Sequence, residues 1–196
     1  TDVTITTGKK IAGENTQFKI TGGATGQVLS TDGSGALSWT ANGVGKIGQV
    51  LQAQKTDTFT SASSSWIDIT DLTVTITPSA ATSKVLVVFN IGSIGTYGSA
   101  HVALRLMRDS SAIAIGDAAG SRIQATHAEY LPDAGSYGMH SMSWLDEPAT
   151  TSAVVYKVQG LAESSNTFYV NRSQTDTDSD SYSRCVSTIT VMEVLA

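Results

Sequence analysis

The densest group of potential ligands is Asp176-Thr177-Asp178-Ser179-Asp180, three carboxylates spaced two apart. Calcium loops collect their oxygen ligands in this alternating way, so the run is a candidate metal site. The rest of that pattern is missing: Ser181 stands where the loop needs glycine, and Ser187 where an acid closes the shell. Asp176, Asp178 and Asp180 therefore read first as a solvated acidic turn, with metal binding as the weaker alternative. His101, His127 and His140 stand far apart in sequence, and none has zinc-site spacing. In an assembly of three chains, one histidine from each could still meet on the axis and hold an ion.

Hydrolytic chemistry has less support. Glycoside cleavage takes two carboxyl groups roughly 5–10 Å apart in a cleft. Asp68 with Asp71, Asp146 with Glu147, and the Asp176 group are neighbours in sequence, but all read as turn or strand-edge acids. There is no Gly-x-Ser-x-Gly elbow, no Cys/His arrangement and no phosphate-cradling loop; Gly33-Ser34-Gly35 reads as a turn. The chain is therefore expected to be no enzyme and to carry no cofactor. Binding is the better-supported chemistry. Tyr97, Tyr130, Tyr137 and Tyr182 lie near Gly, Pro, Asp or Ser, where side chains project from loop tips. Tyrosine stacks on sugars while donating a hydrogen bond, and it is enriched at binding surfaces. The plainer role for each is to cap an end of the fold. Glu193 closes an apolar strand and needs a partner if buried, across a subunit interface or within the chain.

The elements that position these residues are strands. Leu72-Thr73-Val74-Thr75-Ile76-Thr77 alternates cleanly, and Pro78 ends it. Val85 to Phe89 is apolar on both faces, the pattern of a central strand with its outer face covered as well, by a neighbouring subunit in this reading. A loop is expected over Gly92 to Gly98. Strands are expected at Gln49–Gln54, Thr56–Thr60, Trp66–Ile69, Val102–Met107, Ala112–Ile115, Tyr137–Trp144, Ser152–Gln159, Thr167–Asn171 and Val186–Val194. Ala118 to Tyr130 fits helix or strand, although Gly116 and Gly120 argue against a long helix. Together these indicate an all-β fold, an antiparallel sandwich or jelly roll.

The amino-terminal part differs in character. Val3 and Ile5 alternate with threonines, Phe18-Lys19-Ile20 follows, and Gly26-Gln27-Val28-Leu29 recurs as Gly48-Gln49-Val50-Leu51. Each unit is too short to bury a core, and an isolated hairpin is marginal in water, so copies from other chains are needed. We divide the chain into a β-rich stalk over residues 1–45 and a head over 46–196, joined through Ala41-Asn42-Gly43-Val44-Gly45.

Composition narrows the partners. The 196 residues carry a net charge of −5 and only 15% charged residues, with no Lys/Arg-rich run, which argues against nucleic acid and anionic membranes. The longest strongly apolar run, Val85 to Phe89, is far shorter than the roughly 20 residues of a membrane helix. Cys185 is the lone cysteine, so no disulfide forms within the chain. No signal-peptide pattern opens the sequence, which starts at Thr1 as a fragment or processed product would.

Three stretches resemble tailed-bacteriophage fibre and virion-appendage proteins. Phe18-Lys19-Ile20-Thr21-Gly22-Gly23 leading into residues 26–39 resembles a repeat of phage structural proteins. Gly48-Gln49-Val50-Leu51 with Thr77 to Val87 resembles the start of a phage head domain, and Ser187 to Val194 its closing strand. The resemblance implies a virion location, a homotrimer with a β-rich stalk, and a jelly-roll head similar to trimeric C1q/TNF-like domains. It further implies attachment to other virion proteins through the amino-terminal segment, and a head that binds a host-surface glycan or protein. The alternative is a purely structural decoration or fibre cap; a secreted C1q/TNF-like ligand is a third possibility.

Overall fold

The computed structural model describes residues 22–31, 33, 34, 36–41 and 47–196. The chain divides into two compact units, residues 1–44 and 45–196. The strands expected around Val3, Ile5 and Phe18 to Ile20 lie outside the described residues.

In the first unit, β1 (Gln27–Thr31) and β2 (Leu37–Ala41) form an antiparallel hairpin in which Leu29 faces Trp39. Ser30 and Thr40 hydroxyls meet across it at 3.0 Å. The Trp39 indole lies on the backbone at Gly23, where a Cβ would come within 2.6 Å of the ring. Glycine there is a packing requirement.

The second unit is all-β and antiparallel, with no α-helix among its described residues. Its strands are β3 (Ile47–Lys55), β4 (Phe59–Ser61), β5 (Ile67–Ile76), β6 (Lys84–Thr96), β7 (Ala100–Arg108), β8 (Ser111–Ile113), β9 (His127–Leu131), β10 (Tyr137–Asp146), β11 (Val154–Ala162), β12 (Phe168–Val170) and β13 (Ser187–Val194). One six-stranded sheet runs β3-β13-β6-β12-β4, with β10 on the other edge of β6. The facing five-stranded sheet runs β5-β11-β7-β8, with β9 also paired to β7. Their apolar faces meet in a core of Ile69, Leu72, Val74 and Ile76 from β5, Val85, Val87, Phe89, Ile91 and Ile94 from β6, and Val102, Leu104, Leu106, Tyr156, Val158, Ile189 and Val191. Each large apolar side chain buried here stabilises the fold by about 1.5–3 kcal/mol.

Two expectations are corrected. The strand at Val85 does not give way to a loop at Gly92: β6 continues to Thr96. Its glycines mark close backbone approaches inside a strand. A Cβ on Gly92 would lie 2.2 Å from the Val186 carbonyl oxygen, and one on Gly95 3.1 Å from that of Arg172. The segments at Trp66–Ile69 and Leu72–Thr77 are one strand, β5, joined through Asp71 at φ 64°. The register with β11 shifts at this point, so that Ile69 and Leu72, three apart, both face inward. Asp tolerates this left-handed conformation better than most residues.

The outer face of the six-stranded sheet carries an apolar row. Val50 pairs with Met192, Met192 with Leu86, and Leu86 with Leu145, which places the four side by side on β3, β13, β6 and β10. Leu86 and Met192 are half-buried by their neighbours, while Val50 is 55% and Leu145 47% exposed. Among the described residues of this unit nothing covers the row.

Two buried charged groups are matched within the chain. Lys55, whose side chain is fully enclosed, donates from Nζ to Asp57 Oδ1 (2.7 Å) and Thr70 Oγ1 (2.9 Å) and lies 3.4 Å from Asp71 Oδ2. Buried Asp146 accepts from the Tyr156 hydroxyl (2.6 Å) and from Arg108 Nη1 at 3.0 Å, tying β10 to the opposite sheet.

Candidate functional site

Three of the four candidate tyrosines are carried to one end of the sandwich. Tyr97 sits in the turn between β6 and β7; Tyr130 is the penultimate residue of β9, and Tyr137 begins β10 opposite Gly95 of β6. Each is at least half exposed. Asp133 fixes the connection from β9 to β10, its Oδ1 accepting from the Gly135 and Ser136 amides and the Ser136 hydroxyl. Tyr130 pairs with His101 across β9 and β7, and their rings meet tilted at 50° with centroids 4.9 Å apart. His101 in turn lines a mostly apolar groove of about 410 Å³ with Arg122, Ile123, Leu161 and Glu163.

Tyr182 is placed on the separate loop that follows β12, less exposed than the other three. The Asp176 run lies on the same loop. Asp176 is committed to arginines, with Arg172 Nη1 and Arg184 Nη2 each donating to it at 2.8 Å. Asp180 accepts only long hydrogen bonds of 3.4 Å from the Ser179 and Ser181 hydroxyls. Among the described residues these acids do not converge as metal ligands.

A different group does converge. His127 and Glu129 alternate onto one face of β9, the face on which their partners Leu104 and Val102 enter the core. His140 comes from β10, opposite core residue Ile91. Because β9 edges one sheet and β10 the other, the three side chains meet where the sandwich would otherwise lie open. The imidazole centroids of His127 and His140 are 3.8 Å apart, and His140 Nε2 lies 3.0 Å from Glu129 Oε2. One ligand atom from each of the three falls within 4.8 Å of the others. Burial, with the imidazole of His127 beside it, lowers the His140 pKa to about 4, so the ring is neutral at neutral pH. Gly138 is part of the arrangement, since a Cβ there would overlap the Glu129 carboxylate, 1.8 Å from Oε2.

Sequence spacing did not bring His127 and His140 together, because they lie on strands of different sheets and the segment before Tyr130 read equally as helix. The usable signal was the alternation His127-x-Glu129, which puts both side chains on one face if the segment is a strand.

Glu193 is also resolved. Its carboxylate, 2% exposed, accepts from the Ser79 amide (2.6 Å), the Ser79 hydroxyl (2.6 Å) and Gln49 Nε2 (2.8 Å), so its partners lie within the chain. Burial alone would raise its pKa; these donors overcome that and hold it near 2.

No protein-family model matches the chain, and no curated protein matches it. Among solved structures the chain is similar to one in "Structure of infectious bursal disease virus Gx strain", with a TM-score of 0.38 and 11% identity. That alignment covers 86% of this chain and 46% of the other, so this chain spans about half of the other's length.

Proposed function

We propose that this chain is a non-enzymatic structural protein of a virion, a fibre or surface appendage built as a homotrimer, whose sandwich unit contacts a molecule on the host surface. The observation that carries the reading is the bare apolar row Val50, Met192, Leu86 and Leu145 across four strands of the outer face. Apolar surface of this kind gains about 25 cal/mol for each Å² removed from water. A second copy of the same chain is the natural cover, since the two-stranded hairpin of the first unit also needs copies of itself to be stable. Three is the number implied by the resemblance to phage fibres, and the same resemblance assigns the amino-terminal segment to other virion proteins.

Contact with the host falls to the end of the sandwich that presents Tyr97, Tyr130 and Tyr137, with Tyr182 on its separate loop. Three such ends on one assembly turn weak single contacts into avid binding through effective concentration. A second reading, a structural cap or decoration that binds no receptor, is favoured by the contact of the Tyr130 ring with His101 within the chain.

Binding of the labelled intact chain to susceptible bacteria and to a glycan array separates the two. The receptor reading expects binding that falls at least tenfold when Tyr130 and Tyr137 are both changed to Ala. Absence of binding to any susceptible host leaves the cap.

A further inference from the structure

We propose that His127, Glu129 and His140 form a binding site for a divalent transition-metal ion of the zinc type, closing the open edge between the two sheets. Two imidazole nitrogens and one carboxylate oxygen are a donor set that suits Zn²⁺, with room left for a water or other ligand in a fourth position.

The geometry is close to what the ion requires. At zinc bond lengths of about 2.0–2.1 Å, tetrahedral ligand atoms stand about 3.3 Å apart. His140 Nε2 and Glu129 Oε2 are already 3.0 Å apart, and a ligand atom of His127 lies within 4.8 Å of both. His127 is exposed, which leaves its side chain room to turn towards the other two.

The second observation is that these atoms have no other use. His140 is 4% exposed, yet neither ring nitrogen makes a hydrogen bond among the described residues, and neither does Glu129 Oε2. The 3.0 Å approach between them lies off the N–H direction of the ring, so it is an approach without a hydrogen bond. Leaving a buried polar group unpaired is costly, and a shared cation would satisfy a nitrogen and the oxygen together. Gly138 supports the same conclusion, because the space its missing side chain leaves is filled by the carboxylate. The acidic loop offers no comparable site, since Asp176 is held by two arginines.

The test is a Zn²⁺ titration of the chelator-stripped full chain at pH 7.5, followed by calorimetry and by the thermal midpoint, with Co²⁺ absorption reporting the coordination. The site predicts one ion per chain, a raised midpoint, and visible Co²⁺ bands that include nitrogen ligation. Losing even a residue that merely supports a metal ligand costs about 10–100-fold in affinity. Accordingly, Glu129→Gln and His127→Ala should each weaken binding by at least about 100-fold, and Asp178→Asn should leave it unchanged. His127 is exposed, so its variant keeps the fold and decides the matter even if His140→Ala does not fold. No binding by the parent chain, equal binding by His127→Ala and Glu129→Gln, or weakened binding in Asp178→Asn would overturn the proposal.

Discussion

Changing Tyr156 to Phe removes one oxygen from the centre of the sandwich and leaves the ring in place. That oxygen donates to Asp146 Oδ2 at 2.6 Å, and the carboxylate is otherwise held by Arg108 Nη1. Burial and the adjacent Asp146 carboxylate raise the phenol pKa above its ordinary value, so the group is a hydrogen-bond donor at every pH where the protein is folded. A hydrogen bond to a charged group contributes about 1.5–3 kcal/mol. Because Asp146 keeps Arg108, the lower half applies, and Tyr156→Phe should cost about 1.5–2 kcal/mol. For a chain of this length 1 kcal/mol shifts the thermal midpoint by about 2–4 °C, so the expected fall is about 3–8 °C. Asp146→Ala should cost more, about 3–5 kcal/mol, because it strands both the hydroxyl and a partly buried guanidinium. The assay is urea and thermal unfolding at one fixed protein concentration, since assembly makes stability concentration-dependent. A double-mutant cycle between the two positions should give a coupling above about 1 kcal/mol. A Tyr156→Phe protein within about 0.5 kcal/mol of the parent would refute the claim that this contact ties β10 to the opposite sheet.

Other outcomes follow from the same structure. Glu193 has a folded pKa near 2, below its ordinary value of 4.5, so its stabilising contribution is complete above about pH 4.5 and disappears as pH falls towards 2. Glu193→Gln should flatten acid unfolding in that window, and an unchanged acid profile would count against the Ser79 and Gln49 contacts. Gly92→Ala should destabilise by at least about 2 kcal/mol in denaturant titration, because its Cβ would meet the Val186 carbonyl at 2.2 Å and the clash lies in backbone. Lys55→Ala should cost about 3 kcal/mol or more, through the lost packing of its enclosed stem and the loss of an ammonium bound to Asp57, Thr70 and Asp71.

The strand pattern was legible wherever one face was buried and the other wet. Leu72, Val74 and Ile76 face inward as their alternation requires, and so do Val154, Tyr156 and Val158. Val85 to Phe89 runs along β6 between β13 and β10, with Val85, Val87 and Phe89 in the core and Leu86 and Val88 on the outer face. What could not be read was long-range closeness. Gly92 and Gly95 look like loop residues until the chain near Arg172 and Val186 is seen lying against them. The buried Lys55 gave no signal either, since its partners Thr70 and Asp71 come from a bulged strand whose two halves read as separate. The histidine and glutamate group depends on a corner between β9 and β10 that switches sheets, and no local period encodes such a corner.

Sedimentation velocity of the intact chain at micromolar concentration tests the assembly most directly. Three copies of 20.4 kDa predict a single species of about 61 kDa. Leu86→Lys, which puts a charge in the middle of the apolar row, should release folded single chains. A parent protein that sediments as a folded 20.4 kDa monomer, with Val50, Leu86, Met192 and Leu145 open to water, would contradict the account.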